Sequence, residues 1–147
     1  MKVLCICHAN ICRSFMAQEF FKHLVPGGEF FSRGLYADPS FLVPSKVINA
    51  LAKHHISFAG HTSTPLTPAD LADADLIFCM ERTHEEYLLD HYPQYTDKIW
   101  LLAEFAQGSE TDIEDPISLE GHMFEKTAEK LFKICQAAAK RIAQNRS

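Results

Sequence analysis

The chain has no run of about 18 uninterrupted apolar residues, and its N-terminus offers only the short apolar stretch Val3-Leu4-Cys5-Ile6 before polar residues begin. Neither a membrane span nor a signal peptide is supported, so a soluble cytoplasmic protein is expected. An excess of basic charge is also lacking: 14 Lys and Arg stand against 19 Asp and Glu, for a net charge of −5. Nucleic acids and anionic membranes need a basic surface, so neither is expected as a partner, and any anion affinity must be local. The five cysteines, Cys5, Cys7, Cys12, Cys79 and Cys135, have neither the paired spacing of a metal site nor a compact disulfide framework. Reduced thiols follow. The eight histidines are scattered, and His54-His55 are read as facing solvent at a helix end, so no metal is expected. Internal repeats and low-complexity segments are absent as well.

What is present fits one domain over residues 1–147, with 47% hydrophobic and 22% charged residues. Residues 3–6 read as a buried strand. Phe15, Ala17, Phe20, Phe21 and Leu24 then recur at helical spacing until Pro26-Gly27-Gly28 stops them. A second strand begins at Phe30-Phe31 and ends near Gly34, and a loop runs through Tyr36 to Ser40. A helix is expected over 44–54, with Val47, Ile48 and Leu51 inward. Thr67-Pro68-Ala69-Asp70 combines a capping hydroxyl, a proline at the first helical position and an acid three residues after the cap, so a short helix starts there. Strands are predicted over 75–80 and 99–102, a helix over 81–91, and a closing helix over 124–142 with Leu131, Ile134, Ala138 and Ile142 on one side. Strands alternating with helices imply a parallel sheet covered on both faces. The long connection over 105–121 stands out, because structureless loops of that length in compact domains usually have a function.

Chemistry concentrates in Cys7-His8-Ala9-Asn10-Ile11-Cys12-Arg13-Ser14, between the first strand and the first helix. A loop of this length can wrap its N–H groups around a tetrahedral anion while an arginine fork grips two oxygens. The helix it opens adds free donors and partial positive charge. That field favours a thiolate, so Cys7 is expected to be a nucleophile held in its own anion cradle. Within the late loop, Ile113-Glu114-Asp115-Pro116 offers a carboxylic acid to protonate a departing oxygen. Asp115 is the candidate because Pro116 restricts the residue before it. Glu114 is its neighbour and competitor.

The order and spacing of these two loops in a chain of this size resemble the low-molecular-weight protein tyrosine phosphatases, and the resemblance covers essentially the whole sequence. It implies an α/β three-layer fold with a four-stranded parallel sheet flanked by helices, metal-free catalysis without a cofactor, and a phosphocysteine intermediate. Carried over residue by residue, it makes Cys7 the nucleophile, Arg13 the phosphate ligand, Asp115 the acid and then base, and Ser14 the hydroxyl that stabilises the thiolate. His8, Ala9, Asn10, Ile11, Cys12 and Ser14 would line the phosphate, with Asn10, Ser32 and His61 bracing the loop. The implied partner is a phosphotyrosine protein or a small aryl phosphate.

Several positions depart from the family pattern. His8 and Ala9 stand where leucine and glycine are frequent, and Ile117 and Ser118 where aromatic residues often follow Asp-Pro, although Tyr36 or Phe41 could supply one pocket face. A branch of the family that dephosphorylates arginine tends to carry threonine where this chain has Ile11, so Ile11 favours an aryl ester. Cys12 reads either as a partner for a reversible disulfide with Cys7 or as a small packed side chain. Two rival functions share the loop. A thiol-coupled arsenate reductase needs a downstream redox pair, but Cys79 has no cysteine within the next fifty residues. A phosphocysteine carrier module needs neither Arg13 nor Asp115.

Overall fold

The computed structural model describes residues 1–145. Four parallel strands, β1 (Lys2–Cys7), β2 (Glu29–Gly34), β3 (Leu76–Cys79) and β4 (Ile99–Leu101), form one sheet in the order β2-β1-β3-β4. Six helices connect and cover them: α1 (Arg13–Leu24), α2 (Ser45–Ala52), α3 (Pro68–Asp73), α4 (Arg82–His91), α5 (Leu102–Gln107) and α6 (Gly121–Asn145), with a 3-10 turn over Pro93–Lys98. Central β1 is paired on both sides, Cys5 facing Ser32 in one register and Phe78 in the other. That explains its unbroken apolar run, since a parallel strand covered on both faces has no polar side to show.

Alternate residues of β1 and β3 feed two cores. Val3, Cys5, Cys7 and Phe78 pack with Phe15, Phe20 and Phe21 of α1 and with Leu131, Ile134, Ala138 and Ile142 of α6. Leu4, Ile6, Ile77 and Cys79 point the other way, to Leu71 of α3 and Leu88 of α4. Phe78, fully buried between the rings of Phe21 and Phe105, sits at the middle of the larger core. Helix α3 carries the expected capping box: Thr67 Oγ1 accepts from the Asp70 amide and the Asp70 carboxylate accepts from the Thr67 amide. Among the described residues, no helix is long and apolar enough to cross a membrane.

The structure differs from the sequence reading in places that have local causes. Helix α5 was not expected: it begins at the last residue of the strand predicted over 99–102 and runs into the loop predicted from 105; its Leu102, Ala103 and Phe105 continue the apolar run of β4, which hides the change of period. It ends at Gly108, whose φ of 69° needs a residue without a side-chain penalty. Helix α2 stops at Ala52 rather than residue 54, and its chain reverses through His55 at φ 61°. Ile48 is only half-buried, and Ala50 takes an inward place instead. His54, expected to face solvent, stacks on Phe132 with centroids 3.8 Å apart and pairs with Glu129.

Candidate functional site

Strand β1 delivers Cys7 to the carboxyl edge of the sheet, where an open α/β fold places its ligands. The chain then turns through residues 8–12 into α1. Its N-cap, Cys12, makes no side-chain capping bond and the first turn holds no acidic residue, whereas Lys22 and His23 lie in the last turn. The helix therefore presents uncompensated N–H donors at the loop.

The carbonyls of Cys7, His8, Ala9 and Asn10 are turned outward, each taken by a neighbour, and that of Cys12 opens the hydrogen-bond ladder of α1. Cys7 O accepts from the Leu35 amide at 3.1 Å, His8 O from Tyr36 at 2.8 Å and Cys12 O from Met16 at 2.8 Å. Ser63 Oγ donates to Ala9 O at 2.7 Å, and His61 Nε2 donates to Asn10 O at 2.7 Å. Because each peptide unit has its C=O and N–H on opposite sides, carbonyls anchored outside leave the amides facing inward, as an anion cradle requires. Gly34 makes room for this: a Cβ there would lie 2.7 Å from His8 O and 3.0 Å from Asn10 Cβ.

Asn10 holds the shape. It is fully buried with φ 58°, a left-handed conformation that asparagine tolerates better than most residues. Its Nδ2 donates to Ser14 Oγ at 2.9 Å and its Oδ1 accepts from the Thr64 amide at 2.9 Å. Ser14 Oγ in turn stands 2.9 Å from Cys7 Sγ. His61 stacks on Phe15 at 4.1 Å, and burial, opposed by the bond to Asn10, lowers its pKa and favours the neutral ring. Ser32 is placed differently: its hydroxyl donates to Gln18 of α1 at 2.7 Å, so it ties strand to helix. Ser63 and Thr64, which brace the loop directly, were not singled out from the sequence; a hydroxyl in a connecting segment carries no signal of its own.

Arg13 is almost fully buried. Its Nη1 donates to Glu81 Oε1 and, at 2.9 Å, to Ile113 O, while Nη2 lies 3.6 Å from Asp115 Oδ2. Burial would raise the Glu81 pKa, but the bond and charge of Arg13 outweigh it, and the net shift is downward. Glu81 was also missed by the sequence reading. The same carboxylate lies 3.9 Å from buried His84, whose pKa is lowered by burial.

The late loop thus meets the early one. Ile113 is buried and its amide donates to Met80 O at 2.9 Å, which anchors the segment just before Asp115. Asp115 Oδ1 accepts from the Ile117 amide at 3.1 Å. Glu114 is exposed and lines a cleft against α6 with His122 and Lys130, so of the two acids it is Asp115 that reaches Arg13. Exposed His8 lies against Tyr36 with ring centroids 4.8 Å apart; Phe41 and Leu42 are exposed, as is Ile117 in the Asp115 loop. Ile11 is half-buried.

All five cysteines are free and buried. Burial, reinforced by the neighbouring Cys7, pushes the Cys12 thiol up to about 12, and burial raises Cys5, Cys79 and Cys135 further. These four stay protonated at neutral pH; Cys7 differs from them in its hydroxyl partner, Ser14, and in its place at the start of the loop. Among the described residues, no three His, Cys, Asp or Glu side chains are grouped to hold a metal ion.

A thiol in an amide cradle at the head of a parallel α/β sheet, with arginine and carboxyl beside it, defines the class of cysteine-dependent phosphatases. A family model described as low molecular weight phosphotyrosine protein phosphatase matches residues 2–147, and the chain belongs to that family. It is 29% identical to a protein-arginine-phosphatase of Bacillus subtilis, covering 99% of each chain. Its fold matches the crystal structure of a low molecular weight protein tyrosine phosphatase from T. tengcongensis at 34% identity and a TM-score of 0.86, over 99% of both chains. It also matches the arginine phosphatase YwlE, in a cysteine-to-serine mutant with a phosphorylated active-site serine, at 28% identity and a TM-score of 0.92, over 99% of this chain and 98% of that one.

Proposed function

We propose that residues 1–147 form one cytoplasmic phosphatase domain that hydrolyses phosphotyrosine and other aryl phosphate monoesters through a phosphocysteine on Cys7. The observation that carries this reading is the approach of Asp115 to within 3.6 Å of Arg13, which brings an acid from a loop a hundred residues away to the mouth of the thiol loop. Phosphate binding alone requires no such acid.

With Nη1 of Arg13 engaged by Glu81 and Ile113, Nε and Nη2 serve the phosphate oxygens together with the loop amides of His8, Ala9, Asn10, Ile11 and Cys12. Cys7 sulfur attacks phosphorus, the P–O ester bond breaks, and the Asp115 carboxyl gives its proton to the leaving oxygen. The Asp115 carboxylate then takes a proton from water, whose oxygen attacks phosphorus as the S–P bond breaks. Thiolate and inorganic phosphate result, and the hydroxyl of Ser14 stabilises the sulfur at both stages. The phosphorylated serine carried by the YwlE mutant is consistent with a phosphate transferred to this position.

Phosphoarginine is the second reading, supported by the arginine-specific name of the Bacillus subtilis relative. Ile11 favours the aryl ester, since an apolar side chain at the pocket wall suits a ring and offers a guanidinium no hydrogen bond. Hydrolysis of 4-nitrophenyl phosphate in the presence of EDTA, blocked by vanadate, is expected, with higher kcat/KM on phosphotyrosine than on phosphoserine or phosphoarginine peptides. Cys7→Ser is expected to abolish turnover with the fold intact. Undiminished hydrolysis by that variant would overturn the mechanism, and preference for the phosphoarginine peptide would overturn the substrate.

A further inference from the structure

We propose that Lys46 is a positioning residue for the proton donor: it latches the loop bearing Asp115 onto α2, an inference that rests on Asp115 being the acid. The chain between α5 and α6 has no regular secondary structure of its own. Ahead of Asp115 it is tied to the fold by Ile113, bonded to Met80 and Arg13, and by Asp112, whose carboxylate accepts from the Arg82 amide at 2.7 Å. Behind Asp115 the backbone bond from Leu119 to Pro116 is local. Among the described residues, the side-chain hydrogen bonds that fasten this second half to the rest of the protein both come from Lys46, whose Nζ donates to Ile117 O and, at 2.8 Å, to Leu119 O, beside the backbone bond from Met123 of α6 to Glu120 O and the packing of Leu119 on the core.

The geometry links the latch to the carboxyl. Ile117 offers its amide to Asp115 Oδ1 and its carbonyl to Lys46, so the group that orients the acid is itself held by the lysine. The Nζ also lies 5.2 Å from the centre of the Phe124 ring, which joins the start of α6 to the same point. The other end of the latch is firm, because Val47 and Leu51 seat α2 in the core with no exposed surface. An ammonium group has three donors and suits two carbonyls at once. Without it, Asp115 keeps its upstream anchor, while Ile117, the residue that orients it, loses its tie to α2 and the segment is held downstream only from Leu119 and Glu120 onward.

The test compares phenyl phosphate with 4-nitrophenyl phosphate, since phenolate needs a proton to leave and 4-nitrophenolate needs much less. General-acid assistance contributes roughly 100-fold or more, so in Lys46→Met a partly misplaced Asp115 should lower kcat/KM for phenyl phosphate by about tenfold and for 4-nitrophenyl phosphate by less than about threefold. Inhibition by inorganic phosphate should change far less than the phenyl phosphate rate, and Lys46→Arg, which keeps the charge and the donors, should restore that rate. The ratio of the two rates is measured on one sample and is insensitive to any unfolded fraction. Equal loss on both substrates, or no loss, overturns the latch. Asp115→Asn is run alongside: selective loss there with none in Lys46→Met overturns the latch alone, whereas no selectivity in Asp115→Asn overturns the acid assignment beneath it.

Discussion

Replacing Ser14 by alanine separates what its hydroxyl does for the fold from what it does for sulfur. The Oγ is fully buried, accepts from Asn10 Nδ2 at 2.9 Å and stands 2.9 Å from Cys7 Sγ, so once the sulfur is a thiolate it is the Ser14 hydroxyl that donates between them. Alanine leaves the Asn10 amide without that acceptor in a site sealed from solvent, at a cost of about 1–3 kcal/mol in folding stability. At about 2–4 °C per kcal/mol for a chain of this size, Tm should fall by about 2–12 °C. Catalysis should suffer separately. A hydrogen bond to a charged group contributes about 1.5–3 kcal/mol, which corresponds to about a 10- to 150-fold drop in kcat where the thiolate attacks or departs. Thermal unfolding reads the first effect; single-turnover and steady-state hydrolysis of 4-nitrophenyl phosphate read the second. Asn10→Ala in the same background removes the orphaned amide, so the double variant should lose less stability than the two single losses combined. A kcat within twofold of wild type, or additive losses in the double variant, would refute the reasoning.

Glu81 makes the acid branch of stability steeper. Its folded-state pKa lies below the ordinary 4.5, so its contribution is present above that value and is lost as pH falls through the folded one. Urea midpoints followed toward acid should therefore drop less steeply in Glu81→Gln than in wild type. His55 occupies the left-handed region at φ 61° on the surface, and His55→Gly should raise stability by about 0.5–1 kcal/mol in chemical denaturation, because the strain on the side chain exceeds the entropy glycine adds.

What the sequence determined by itself is local in the chain. The apolar run of β1, the thiol, arginine and hydroxyl of the loop and the periodicity of α1 all lie within the first 24 residues. The capping box at Thr67 and the apolar face of α6 are equally legible, because caps and helical faces repeat at spacings of three and four residues. In the sequence Asp115 stands out from Glu114 through the restriction imposed by Pro116 and through the family resemblance, and it is the approach to Arg13 that separates the two acids in space. Tertiary structure alone decided which groups hold the loop open. Ser63 and Thr64 meet residues 54 positions away, Glu81 meets Arg13 across 68, and Lys46 meets the Asp115 loop across 71 and 73. Such pairs leave no periodic trace, since a serine or glutamate outside a helix, or a lysine in the first turn of one, reads the same whether it faces water or a buried partner. The cysteine loop is therefore written in one stretch of sequence, while the outward turn of its carbonyls, on which its grip on phosphate depends, is imposed by partners that only the folded chain brings together.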